Sequence, residues 1–248
     1  MQQFSFQLYS ARNMPSLNDA LSVIAGAGYT MVEGYPDLYA DPEATRAALD
    51  AAGLSMPSGH FSIDMLESDL ERAMLVARVL GMSHLYCPFI AEQDRPKAAE
   101  GWIAFAGRLE KLAREFSGTG ITFGWHNHDF EFASLEDGRV PMALLLEHAP
   151  TMSWEADIAW IVRGGQNPFD WISQYGDQIS AVHVKDIAPA GECLDEDGWA
   201  DVGHGTVDWA GLMAALSAGP DRLFVLEHDN PSDVKRFAER SFASVRTY

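Results

Sequence analysis

YSARNMPS, residues 9–16, joins the first β-rich run of the chain to its first amphipathic stretch. A doubly wound dinucleotide-binding sheet would place a glycine-rich G-x-G-x-x-G turn at that junction. This turn contains no glycine. The number of units that follow then decides the architecture. Short β-rich runs recur at FSFQLYS (4–10), TMVEG (30–34), SMPSGH (55–60), HLYCPF (84–89), ITFGWHNH (121–128), MSWEAD (152–157), ISAVHVKD (179–186) and LFVLEHD (223–229). Amphipathic helical stretches lie between them. SLNDALSVIAGAG (16–28) opens with a Ser cap and closes in glycine, and DPEATRAALDAAG (41–53) has an Asp cap, Pro in the first turn and a Gly stop. ESDLERAMLVARVLG (67–81) and RPKAAEGWIAFAGRLEKLAREF (95–116) carry apolar residues at three- and four-residue spacing. Eight strand–helix units within 248 residues match the size of a closed barrel of parallel strands. The expected fold is α/β, a single (β/α)8 barrel domain over residues 1–248.

The composition is that of a globular protein, 47% hydrophobic and 21% charged. Acidic residues outnumber basic ones 36 to 17, for a formal charge of −19. Such a field repels phosphate backbones and anionic membranes, which argues against nucleic acid or a membrane as partner. Two cysteines, Cys87 and Cys193, are too few for a disulfide framework. The start, MQQFSFQLYS, has no basic region followed by an apolar run, and no run reaches the roughly 20 apolar residues of a membrane span. A cytoplasmic location is expected, with homo-oligomers allowed.

In a barrel of this kind the chemistry sits at the C-terminal ends of the strands. Those ends carry Glu33, His60, His126, His128, Glu131, Glu155, Asp157, His183, Lys185, Asp186, Glu227, His228 and Asp229. Glu33 reads equally as a loop cap, and His60 as a wall histidine. Asp157 in WEADIAW, His183 in AVHVKD and Glu227 in FVLEHD are different, because they interrupt apolar strand ends. Ionisable groups there are costly unless paired or metal-bound. Two carboxylates, a histidine and one further donor from the fifth strand repel one another when empty, and a divalent cation removes that repulsion. Oxygen-rich ligation with imidazole suits Mn2+ first, with Mg2+, Co2+, Zn2+ or Fe2+ as alternatives.

HNHDFEF (126–132), WEADIAWIVRGG (154–165), NPFDWISQYGDQISAVHVKD (167–186) and VLEHDNPSD (225–233) resemble the xylose-isomerase-like TIM-barrel superfamily of sugar phosphate isomerases and epimerases. The resemblance runs over nearly the whole chain and is strongest from about residue 120 onward. It implies one metal held by Glu, Asp, His and Glu from strands five to eight. Asp157, His183 and Glu227 match the last three positions. The fifth strand departs from the pattern: it ends Gly124-Trp125-His126, and its first glutamate is Glu131. Glu131 is therefore expected as the fourth ligand, with His126 as its rival. VGHGTVDW (202–209) also departs, with His204 where relatives often carry an acid.

The function implied is a divalent-metal-dependent sugar isomerase or epimerase, drawing an α-proton from a keto-sugar or related polyol through an enediolate. Glu131, Glu227, His126 and Lys185 are the expected catalytic groups, and Glu33, His60, His128, Trp160 and His204 the expected contacts to a carbohydrate substrate. Dehydration or elimination on a keto-sugar or keto-inositol is the alternative. Abasic-site endonuclease and non-catalytic sugar-binding barrel stand behind it. The segment 187–207, following the seventh strand, contains Trp199 and His204 and is expected to close over the site as a mobile lid.

Overall fold

A computed structural model describes residues 4–248. The first three residues of the expected 1–248 span lie outside the described residues. Eight parallel strands close on themselves: β1 (Phe4–Gln7), β2 (Met31–Gly34), β3 (Ser55–His60), β4 (His84–Cys87), β5 (Thr122–His126), β6 (Ser153–Asp157), β7 (Ile179–Val184) and β8 (Leu223–Leu226). Each pairs with its sequence neighbours, and β1 pairs with β8 to complete the ring. The chain is a (β/α)8 barrel.

Around it lie α1 (Leu17–Ala27), α2 (Pro42–Ala52), α3 (Ile63–Ser68), α4 (Leu70–Leu80), α5 (Ala99–Glu115), α6 (Pro141–His148), α7 (Ile158–Arg163), α8 (Pro168–Tyr175), α9 (Trp209–Ser217) and α10 (Val234–Val245). The helix boundaries follow the caps. Ser16 accepts from the Asp19 N–H to open α1, and Gly28 closes it at φ 105°, a left-handed conformation that glycine adopts without strain. The stretch 67–81 forms two helices rather than one. Asp69 leaves helical geometry and accepts from the Arg72 N–H, so it caps α4 and ends α3 in the same residue.

The helices press apolar faces onto the outside of the barrel, where Trp102, Phe105, Trp125, Trp154 and Phe237 are buried. Inside, alternate residues of each strand point at the axis. Gly124 marks a close approach there: a Cβ on it would stand 2.5 Å from Ser153 Oγ and 2.8 Å from the Tyr86 ring. Among the described residues no helix is long and apolar enough to cross a membrane.

Candidate metal centre

The strand period of two builds the site. On β6, Glu155 and Asp157 are two apart and share the inner face; on β3, Ser58 and His60 do the same. β5 ends in His126, β7 carries His183 with Lys185 just beyond it, and Glu227 follows β8 directly. Register sets Asp157 beside His183 and His126 beside Glu155. Glu33, Glu155, Asp157, His183 and Lys185 are fully buried, and Glu227 nearly so.

Two groups of metal-competent donors result, each with donor atoms within 4.8 Å of one another: His126, Asp157, His183 and Glu227, and His60, His126, Glu155 and His183. His183 Nδ1 lies 2.9 Å from Glu227 Oε2 and 3.9 Å from Asp157 Oδ2, while its Nε2 lies 2.7 Å from Glu33 Oε1. Asp157 divides its oxygens. Oδ1 accepts from the Trp160 N–H and caps α7, whereas Oδ2 is buried without a hydrogen-bond partner. His126 Nδ1 is likewise buried and unpartnered, 3.1 Å from Glu155 Oε2 but out of hydrogen-bond alignment. Unpartnered buried oxygen and imidazole nitrogen in one cluster of carboxylates fit a divalent cation.

The electrostatics agree. Burial, helped by His183, pushes His126 down to about 3, so its ring is neutral and offers a lone pair. Burial pushes Asp157 up to about 7 against the pull of Lys185. Glu227 resists burial: Lys185 and His183 hold it well below the usual carboxylate range. Lys185 Nζ lies 2.6 Å from Asp229 and 3.5 Å from Glu227, and sits 4.1 Å over the Trp199 ring.

Glu131 does not join these donors. Its carboxylate accepts from Trp125 Nε1 and from the His128 N–H, both at 2.9 Å. Trp125 alternates with His126 and therefore points away from the barrel axis, against Phe105 of α5. Glu131, in a short 3-10 turn after β5, follows Trp125 outward and ends buried between strand and helix, where burial raises it to about 8. The fifth-strand donor that reaches the others is His126.

A cavity of about 600 Å³ opens over the cluster, lined by Tyr9, Arg12, Tyr35, His60, Phe89, His126, His128, Trp160, Glu227 and Asp229 among others. His60, His128 and Trp160 thus reach the cavity wall. Glu33 and His204 do not. Glu33 lies beneath, accepting from Gln7 Nε2 at 2.7 Å and Ser58 Oγ at 2.5 Å. His204 is exposed, because the turn around it wraps the Asp186 carboxylate with the N–H groups of Gly203, Gly205 and Val207, which leaves the side chain facing out.

That wrapping also changes the picture of the segment 187–207. Ile187 and Trp199 pair in a small antiparallel ribbon. Glu196 accepts from Arg236 through both oxygens, Asp201 meets Arg236 and Arg240, and Arg163 donates to the Asp197 carbonyl. Trp199 is buried between these anchors. The segment is a fastened wall rather than a loose lid. The sequence places Glu155 at the strand ends but assigns it no role, although its spacing of two from Asp157 was the signal, and the βα-loop residues Tyr9, Arg12 and Tyr35 escaped the sequence-based site.

A model of the xylose isomerase-like TIM barrel family matches residues 21–247. No curated protein matches the chain. Among solved structures, a sugar phosphate isomerase/epimerase from Parabacteroides distasonis is similar with a TM-score of 0.80 at 19% identity, over 99% of this chain and 93% of the other. A 3-keto-D-glucoside 4-epimerase from E. coli gives 0.74 at 16%, over the full length of both chains. The IolI protein, solved with a zinc atom bound, gives 0.71 at 15%, over 99% of this chain and 96% of the other. At such identities the structural likeness is one of fold, and the family rests on the sequence match over most of the chain. The chain belongs to the xylose isomerase-like TIM barrel family.

Proposed function

We propose that this protein is a divalent-metal-dependent isomerase or epimerase acting on a keto-sugar or related polyol. The observation that carries the reading is the convergence of His126, Asp157, His183 and Glu227 on the floor of an open cavity, with buried donor atoms left unpartnered. These residues would hold the cation, and its chemistry when bound is Lewis-acid polarisation of a carbonyl and its neighbouring hydroxyl. The two carboxylates and two imidazoles suit Mn2+, and the zinc of the IolI neighbour puts Zn2+ beside it.

The chain's own groups supply the rest. Glu227 lines the cavity and stays ionised beside Lys185, so it is the base that takes the α-proton, a role worth about 10²–10⁴-fold. Lys185 holds Glu227 in that state, and is itself fixed by Asp229. Trp160, Phe89 and Tyr9 offer aromatic faces to the apolar side of a sugar ring. Where the proton returns decides the product: the opposite face of the same carbon gives an epimer, the neighbouring carbon an isomer. The carbohydrate is the partner of this site. With −19 net charge we assign no role in binding nucleic acid, and we assign the 1–248 chain to one domain working in the cytoplasm.

The test is to incubate the Mn2+- or Zn2+-loaded protein with a panel of keto-sugars and follow the products by NMR. An epimer or isomer formed with the metal and lost with chelator supports the reading. Loss of water from the substrate replaces it with a dehydratase, and no reaction across the panel refutes it.

A further inference from the structure

We propose that Arg12 binds a carboxylate carried by the substrate, so that the carbohydrate this cavity takes is a keto-sugar acid. Two observations carry this: the partners that Arg12 has, and the edge of its guanidinium that they leave open.

Arg12 follows the 3-10 turn after β1 and stands half-buried in the cavity wall. It is the one Lys or Arg among the lining residues. Its Nη1 donates to the Tyr9 carbonyl at 2.9 Å and to the Asp229 carbonyl at 2.5 Å, which occupies both hydrogens of that nitrogen. The Tyr9 ring lies 3.9 Å from the guanidinium carbon, a cation–π contact. Two carbonyls and an aromatic face therefore fix the group, and none of them is an anion. Among the described residues no carboxylate reaches Arg12 for an ion pair, and its Nε and Nη2 have no hydrogen-bond partner. Lys185, the other cation beside the site, has Asp229 at 2.6 Å.

The open Nε–Nη2 edge is planar and carries two parallel N–H bonds, the shape that takes both oxygens of a carboxylate. Arg108 uses that same edge on Glu67, with Nε to Oε1 at 2.8 Å and Nη2 to Oε2 at 2.7 Å. Arg12 has no such acid in the chain and faces the cavity, so its acid comes with the ligand. Being held beforehand, it loses little freedom on binding. Asp229, which fastens it, lies two residues beyond Glu227, so the carboxylate is held on the side of the cavity that carries the base. Charge favours a carboxylate over a phosphate. Asp37 and Asp197 share the lining and are exposed, while Asp229 is spent on Lys185. One guanidinium balances a monoanion, whereas a phosphate of nearly two charges would leave an excess facing those aspartates.

The inference rests on the proposed reaction and is tested apart from it by measuring binding as well as turnover. The probes are D-fructose, D-fructuronate and D-fructose 6-phosphate, ketoses that differ only at the sixth carbon. Calorimetry gives the affinity of each for the metal-free and the Mn2+-loaded protein. Fructuronate is expected to bind about 10–100-fold tighter than fructose in both forms. That preference should fall to near one in Arg12→Gln, and Arg12→Lys, which keeps the charge without the fork, should recover only part of it. In case the variants do not fold, the Arg12 Nε–H resonance of the wild type should shift with fructuronate and stay in place with fructose. Equal affinity for the two sugars, or no binding of any of the three, overturns the proposal. A preference kept in Arg12→Gln also overturns it and makes Arg12 a strap between the loops after β1 and β8. Tighter binding of fructose 6-phosphate than of fructuronate replaces the carboxylate site with a phosphate site. A carboxylate preference without deuterium wash-in from any of the three sugars fails the proposed reaction and leaves this inference standing; equal affinities with equal wash-in do the reverse.

Discussion

Glu33 Oε1 stands 2.7 Å from His183 Nε2, on the opposite side of the imidazole from the nitrogen that faces Glu227. With a cation bound, an N–H given to Glu33 would leave the Nδ1 lone pair to face it. Gln7 and Ser58 fix Glu33 in turn, so three strands cooperate to hold that ring in place. Glu33→Ala is expected to keep the barrel intact and to weaken metal affinity roughly 10–100-fold. Competition with a chromogenic chelator measures this, with the ¹⁵N shifts of His183 reporting the tautomer. Unchanged affinity and tautomer would make Glu33 a packing residue only.

His126 and Glu131 are expected to behave oppositely. His126→Ala should lose metal affinity by roughly tenfold or more, whereas Glu131→Gln should keep its metal content. Glu131→Ala should instead destabilise the fold by about 2 kcal/mol in urea unfolding, since it strands the Trp125 and His128 N–H groups. Loss of metal in Glu131→Gln would restore the carboxylate to the ligand set.

Glu196, the anchor of the segment 187–207, gives a pH signature. Although burial raises it, Ser232 and Arg236 bring its carboxyl down to about 2 from an ordinary 4.5. A folded pKa below the unfolded one stabilises above the unfolded value and is lost as the pH falls through the folded one. The wild type should therefore exceed Glu196→Gln in stability by about 2 kcal/mol at pH 7. The gap should close between about pH 4.5 and 2. Denaturant melts across that range check it; a gap independent of pH would assign the anchoring to hydrogen bonds alone.

How much was legible beforehand follows from what each residue depends on. Strand and helix order are local properties, written in periodicity and caps, and the closed barrel follows from counting them. Asp157, His183 and Glu227 were visible because a charged residue in an apolar strand end needs a reason. Glu131 was misplaced because the turn after β5 decides which side of the strand its carboxylate takes, and that turn is set by Trp125 and α5 rather than by spacing. His204 failed similarly: its direction depends on backbone N–H groups gathering on Asp186, a contact between residues 17 to 21 positions apart. Mobility was inferred from the length and glycines of 187–207, whereas the arginines that fasten it lie on α7 and α10.

The central claim is that Glu227 removes a proton from the carbon beside a keto group. Deuterium wash-in from solvent into that carbon, followed by NMR for the metal-loaded protein with keto-sugars, measures the step directly. The account predicts wash-in by the wild type and wash-in slower by about 10²-fold or more in Glu227→Gln at matched metal occupancy. No wash-in by the wild type over the panel, or the same rate in the variant, would contradict it.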